Sequence, residues 1–152
     1  MSVSRVKEFL EKAGLMDGYV EMEQGTQTVA LAAQALHIEP GRVAKTLSLK
    51  LPDRVIAVIA RGDARVDNKK FKETFHAKAR FLAPDEVEEL TGHPVGGVCP
   101  FALKDGVEIY LDVSLKDFDP VYPAAGSVHN AVRISLSKLE EVTNGTWVDI
   151  CG

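Results

Sequence analysis

The run Val43-Ala44-Lys45-Thr46-Leu47-Ser48-Leu49-Lys50-Leu51, then Pro52-Asp53, then Arg54-Val55-Ile56-Ala57-Val58-Ile59-Ala60, decides the fold. Leu47, Leu49 and Leu51 fall on one face of an extended chain and Thr46, Ser48 and Lys50 on the other, the period of a strand with two unlike faces. Pro52-Asp53 supplies a tight turn. The unbroken apolar run after it reads as a central strand covered on both sides. Lys45 is in register with the leucines, so its ammonium starts from the apolar side. Burying that charge is costly unless it is paired; alternatively its stem carries it past the strand end into water. Strand parity leaves both open.

Working outward, Val6, Phe9, Leu10 and Ala13 form the stripe of an amphipathic helix that Gly14 ends. Residues 19–22 read as a strand. Thr26 or Thr28 caps a second helix with Val29, Ala32, Ala33 and Leu36 inward, closed by Pro40-Gly41. Downstream, Asp67 caps a helix that turns Phe71 and Phe75 to the core. Residues 79–82 read as a short strand, and 84–90 as a helix with Gly92 just beyond it. Val107, Ile109, Leu111 and Val113 alternate with polar residues as a half-buried strand. Strands at 121–122 and 132–136, a short helix with a Ser137–Glu140 capping box, and a strand at 146–150 complete the chain. Without repeats or linkers, residues 1–152 read as one α+β domain, a mixed sheet with helices packed around it.

The composition, 45% hydrophobic and 26% charged in 152 residues, is that of an ordinary globular chain. No apolar run nears the roughly 20 residues that span a bilayer, and the N-terminus has no signal-peptide core, so a cytoplasmic protein is expected. Cys99 and Cys151 make no disulfide framework there. His93, Cys99 and His129 lack the spacing of zinc modules, and metal is discounted. The net charge of −4 argues against nucleic acid until its distribution is read. Residues 61–80 carry seven basic and three acidic side chains, a local +4 that leaves −8 for the rest. Such a run is either a solvated helix face or a phosphate-contacting patch.

One stretch is neither helix, central strand nor ordinary loop: Gly92-His93-Pro94-Val95-Gly96-Gly97-Val98-Cys99-Pro100-Phe101. Gly96 and Gly97 let a ligand approach main-chain amides closely, Pro94 and Pro100 restrict flexing, and Val98 and Phe101 pack the segment onto the core. It is either a connecting loop with structural glycines or a rigid wall of amide donors. With Val43–Leu47 before it and Tyr122-Pro123-Ala124-Ala125-Gly126 after it, the chain resembles the YbaK/ProX family of trans-editing aminoacyl-tRNA deacylases. That family includes the editing domain of bacterial prolyl-tRNA synthetases, and the resemblance runs from about Val20 to the C-terminus.

The resemblance implies a curved, mixed and mostly antiparallel sheet surrounded by helices. It implies hydrolysis of the ester of a mischarged aminoacyl-tRNA, with no metal and no organic cofactor. Lys45 aligns with the lysine of the editing site, where it would fix the substrate or the attacking water, and the Gly96 and Gly97 amides would bind the ester carbonyl as charge develops. Val43, Val95, Val98 and Phe101 would wall a small pocket, Thr28, Cys99 and Pro100 would also meet substrate, and Gly126-Ser127 would form a second lip. A small pocket excludes larger side chains by clash, so alanine, cysteine or serine on tRNA-Pro is the expected cargo. The implied partners are the tRNA and prolyl-tRNA synthetase, with Arg65, Lys69, Lys70 and Lys72 against tRNA phosphates.

Other chemistry is less well specified. Cys99 beside His93, or Ser127 beside His129, can be drawn as a nucleophile activated by imidazole, but neither sits in a known signature. Asp112 has no second acid placed with it. Two further readings stay open: a non-catalytic module that binds aminoacyl-tRNA or a synthetase, and a thiol hydrolase built on Cys99. Retention of Lys45 and of Gly96-x-x-x-Pro100 favours the deacylase.

Overall fold

The structure is a computed structural model and describes residues 2–152. Its elements are α1 (Ser2–Ala13), β1 (Tyr19–Glu21), α2 (Val29–Leu36), β2 (Val43–Leu51), β3 (Arg54–Arg61), α3 (Asn68–Phe75), α4 (Pro84–Thr91), β4 (Glu108–Asp112), β5 (Tyr122–Pro123), β6 (Asn130–Val132), α5 (Leu136–Thr143) and β7 (Thr146–Val148). The hairpin is central. β2 and β3 pair antiparallel from Leu51↔Arg54 to Ala44↔Arg61, within a sheet ordered β5-β2-β3-β4-β7. Residues 56–60 of β3 have no exposed surface, because the sheet has a core on each side. Ile59 joins Leu10, Phe101, Leu111 and Leu139 on one; Val58 and Ala60 join Leu49, Phe71 and Ile150 on the other. An unbroken apolar run is what a doubly covered strand requires.

The sheet is mixed. Its antiparallel part is the long β2/β3 hairpin, with β1/β6 as a separate antiparallel pair, whereas β5, β4 and β7 each join in parallel. Parallel pairing therefore has a larger share of the main sheet than a mostly antiparallel sheet would give it. Part of the cause is connectivity: α3 and α4 intervene between β3 and β4, and a crossover of that kind brings the chain back in the same direction.

Local differences have local causes. Residues 79–82 make only one bridge, Phe81 to Leu49, because the chain must leave the sheet for Pro84 at the start of α4. The strand expected over 132–136 stops at Val132, with one further bridge at Ile134. Ser135, not Ser137, caps α5 by accepting from the Lys138 amide at 3.2 Å. Val113 leaves β4 for a 3-10 turn, and β7 ends at Val148. Thr28 and Asp67 cap α2 and α3 as read, accepting from Leu31 N and Lys70 N.

Asp112, at the end of β4, is fully buried. Its two carboxylate oxygens accept from Ile150 N at 2.8 Å and Ser114 N at 2.9 Å, which ties the C-terminal segment to the sheet. Asp112→Ala strands the buried Ile150 amide at about 1–3 kcal/mol and the part-buried Ser114 amide at somewhat less. Urea denaturation should show a loss of about 2–5 kcal/mol; a loss under about 1 kcal/mol would mean that the tie is dispensable.

Candidate functional site

A cleft of about 300 Å³ opens beside the first half of β2, at the small end of the range for ligand sites. The capped end of α2 contributes Thr28, Val29 and Ala32, and the segment before it Met22, Thr26 and Gln27. β2 contributes Val43 to Thr46 and Ser48, α4 contributes Val87, and the glycine loop contributes Val95, Gly96 and Val98. Ala124, Asn130 and Ala131 close the far side. Most of the wall is aliphatic or small, and small residues on α2 are what leave space above the strand.

The two glycines do different work. Gly97 N donates to Pro94 O at 2.9 Å, closing a turn in which Gly96 takes φ +83°. A positive φ at the third position of such a turn selects glycine. A Cβ on Gly97 would lie 2.8 Å from Gly126 O and 2.9 Å from Ser127 Cα. Gly97 is therefore needed for backbone-to-backbone contact between two turns, and its amide is already used. This corrects the expectation that both amides face a substrate. Gly96 lines the cleft, and its amide has no acceptor among the described residues.

The first turn of α1 holds both turns in place. His93 is fully buried, with Nδ1 2.7 Å from Ser2 Oγ and Nε2 2.7 Å from Phe101 O. Ser2 Oγ donates to Gly126 O at 2.9 Å, and Arg5 donates to Gly92 O. The same anchoring takes three expected pocket residues out of the cleft. Cys99, Pro100 and Phe101 are buried in the core, where Phe101 packs on Phe9 at 5.6 Å between ring centres. Gly126 and Ser127 lie outside the cleft lining as well. Ser127 Oγ accepts from His129 N at 3.0 Å, a backbone contact that does not activate the hydroxyl.

Cys99 Sγ lies 3.6 Å from His93 Nε2, yet the pair is poorly disposed for thiolate chemistry. Burial pushes the thiol up to about 12 and holds the imidazole below its usual range. Both shifts favour the neutral forms.

Lys45 lines the cleft, and its Nζ donates to the Ala64 carbonyl in the turn after β3. Burial lowers its pKa, opposed by neighbouring Cys151 and Asp63 and reinforced by Arg65. Among the described residues no carboxylate, imidazole or thiol lines the cleft, so Lys45 is its one titratable side chain. Val43, Val95, Val98 and Thr28 are brought together there. Thr46, Ser48, Ala44, Ala124 and Asn130 were not foreseen, although the polar face of β2 was the signal for the first two. Thr46 Oγ1 is buried without a hydrogen-bond partner among the described residues. Arg65, Lys69 and Lys72 are exposed, whereas Lys70 is engaged by Asp149 and Cys151 O, each at 3.1 Å.

Residues 23–142 match the aminoacyl-tRNA editing domain. The chain belongs to that family. The editing-domain family supports aminoacyl-tRNA deacylation in general terms, and the YbaK-like resemblance holds. A Bacillus subtilis protein, YwhH, uncharacterized, is 42% identical over 99% of this chain and 98% of its own length. A solved structure proposed to be a trans-editing enzyme for prolyl tRNA synthetase is 30% identical, with a TM-score of 0.90 over 99% of this chain and 97% of that one. The proline–tRNA ligase of Caldicellulosiruptor bescii is 27% identical over 93% of this chain, which spans 28% of the ligase. No helix among the described residues is long and apolar enough to cross a membrane.

Two outcomes follow for this editing domain. Cys99→Ala should retain most activity on whatever ester the cleft accepts, and native Cys99 should resist iodoacetamide; inactivation with an intact fold would restore the thiol reading. Gly97→Ala must displace one backbone turn from the other. Its melting temperature and turnover should both fall, and a fully stable variant with normal turnover would contradict the packing role.

Proposed function

We propose that the chain is a translation quality-control deacylase, with one editing domain over residues 1–152, that hydrolyses the ester of a small amino acid mischarged onto tRNA. Alanine, cysteine and serine on tRNA-Pro are the candidate cargoes. The observation that carries the reading is the cleft itself: about 300 Å³, walled by Val43, Val95, Val98 and Ala32, and lined by both Lys45 and Gly96, whose amide has no acceptor among the described residues. That amide supplies one preorganised donor for an ester oxyanion. Lys45, released from Ala64, holds the substrate or the attacking water as an ammonium. Val43, Val95 and Val98 limit side-chain size. The ester is already activated, so a wall of aliphatic groups with one donor and one cation suffices without metal or organic cofactor.

The binding-module reading keeps the same cleft and removes the turnover. Prolyl-tRNA synthetase is the proposed protein partner, from the likeness to its editing segment, and the exposed Arg65, Lys69 and Lys72 on and before α3 are proposed contacts for the tRNA body.

The test is a deacylation screen of tRNA-Pro charged with alanine, cysteine, serine and proline, with and without EDTA. Hydrolysis of one or more small cargoes, indifferent to EDTA, is expected; binding without hydrolysis of any of them would favour the module. Lys45→Ala should lower kcat at least about 100-fold, a loss in the range of one preorganised group, with little change in thermal stability. The pH profile carries a sign. A required ammonium gives full activity below the Lys45 pKa and a decline as pH rises through it. Burial places that decline below the ordinary value of 10.5. Activity that rises through the same region in wild type but not in Lys45→Ala would make Lys45 a base instead.

A further inference from the structure

Along β2 the cleft ends at Ser48, and a second hollow of about 330 Å³ begins at Lys50. It is lined by Lys50, Leu51, Pro52, Ala77, Lys78 and Arg80, and no step of the proposed deacylation uses it. Lys50 is neutralised by Glu86 of α4. Lys78 and Arg80 are exposed, and their side chains have no partner among the described residues. The uncommitted charge around the hollow is therefore positive.

Phe81, bridged to Leu49 in the register between Ser48 and Lys50, is 57% exposed. Its position is fixed by the backbone: Lys50 N donates to Arg80 O at 2.8 Å, Leu82 N donates to Ser48 O at 3.1 Å, and Phe81 is bridged to Leu49. Leu82 next to it is buried, so the segment is docked to the edge of β2 while the phenyl ring is left largely in water. A fixed, solvent-exposed ring flanked by free cations is the combination that holds single-stranded nucleic acid, because every base has a face to stack and every linkage a phosphate.

We propose that this edge binds the single-stranded 3′ end of the tRNA. A base stacks on Phe81, backbone phosphates lie against Lys78 and Arg80, and the esterified terminal nucleoside turns into the cleft at Thr46–Ser48. At about 3.3 Å per residue, Thr46 to Leu51 spans about 17 Å of β2, a reach of a few nucleotides. The identity of the strand rests on the deacylase reading; the surface does not.

The experiment measures binding of a fluorescent single-stranded RNA ending in CCA, without an amino acid, so that hydrolysis plays no part. Phe81→Ala should weaken binding about 5- to 150-fold, the range of one stacked base, and Phe81→Trp should preserve it. Lys78→Ala with Arg80→Ala should reduce the slope of log K against log[salt] by about 1.4. Thermal melts equal to wild type are expected, since all three side chains are exposed. Failure of the wild type to bind the RNA, unchanged affinity in Phe81→Ala, or sensitivity to Lys69→Ala with Lys72→Ala instead, would overturn the proposal. If the variants behave as expected while no charged tRNA is hydrolysed, the surface stands and the deacylase reading falls.

Discussion

The cleft depends on one close approach, that of Gly97 to Gly126 and Ser127. Two backbone turns from distant parts of the chain meet with no room for a Cβ between them, and Ser2 with His93 clamps the contact from behind. Because the loop is braced by main chain, Gly96 is held at its positive φ, its amide without an acceptor among the described residues. Rigid donors of this kind need no reorganisation when charge develops on a substrate. A side chain reaching into the cleft would have to be ordered by substrate binding; an amide in a braced turn is already in place.

The hairpin underneath was legible because strand parity and burial are local signals. The alternation from Leu47 to Leu51 and the unbroken run of β3 follow from which faces are covered, and both survive in the structure. The loop was only half legible. Its glycines and prolines announce a special conformation, but whether an amide faces a ligand or Pro94 O depends on turn type, which composition does not encode. Likewise Cys99, Pro100 and Phe101 belong to the core because α1 packs Phe9 on Phe101 and holds, through Ser2, the His93 ring that meets Phe101 O. That contact joins residues about 90 apart in sequence, and no window of residues contains it. Thr46 and Ser48 lie on the polar face of β2, but strand parity alone does not distinguish a polar face that meets solvent from one that lines a cleft.

Charge is divided in the same spatial way. The basic stretch from residue 61 to 80 is one run in sequence but several environments in the fold. Arg61 is engaged by Asp63 and Asp117, Lys70 by Asp149, and only the remainder presents free cations. Family membership is consistent with a polyanionic substrate met by a chain of net charge −4, because the contact requires a local positive field rather than a basic protein.

The central claim is that the Gly96 amide is the preorganised donor for the ester. The most direct measurement is a crystal structure with a non-hydrolysable aminoacyl-adenosine amide. The account predicts the analogue's carbonyl oxygen within hydrogen-bond distance of Gly96 N, the amino-acid side chain among Val43, Val95 and Val98, and the Pro94–Gly97 turn unchanged. An analogue bound away from this cleft, or a turn that flips to present Gly97 N instead, would contradict it.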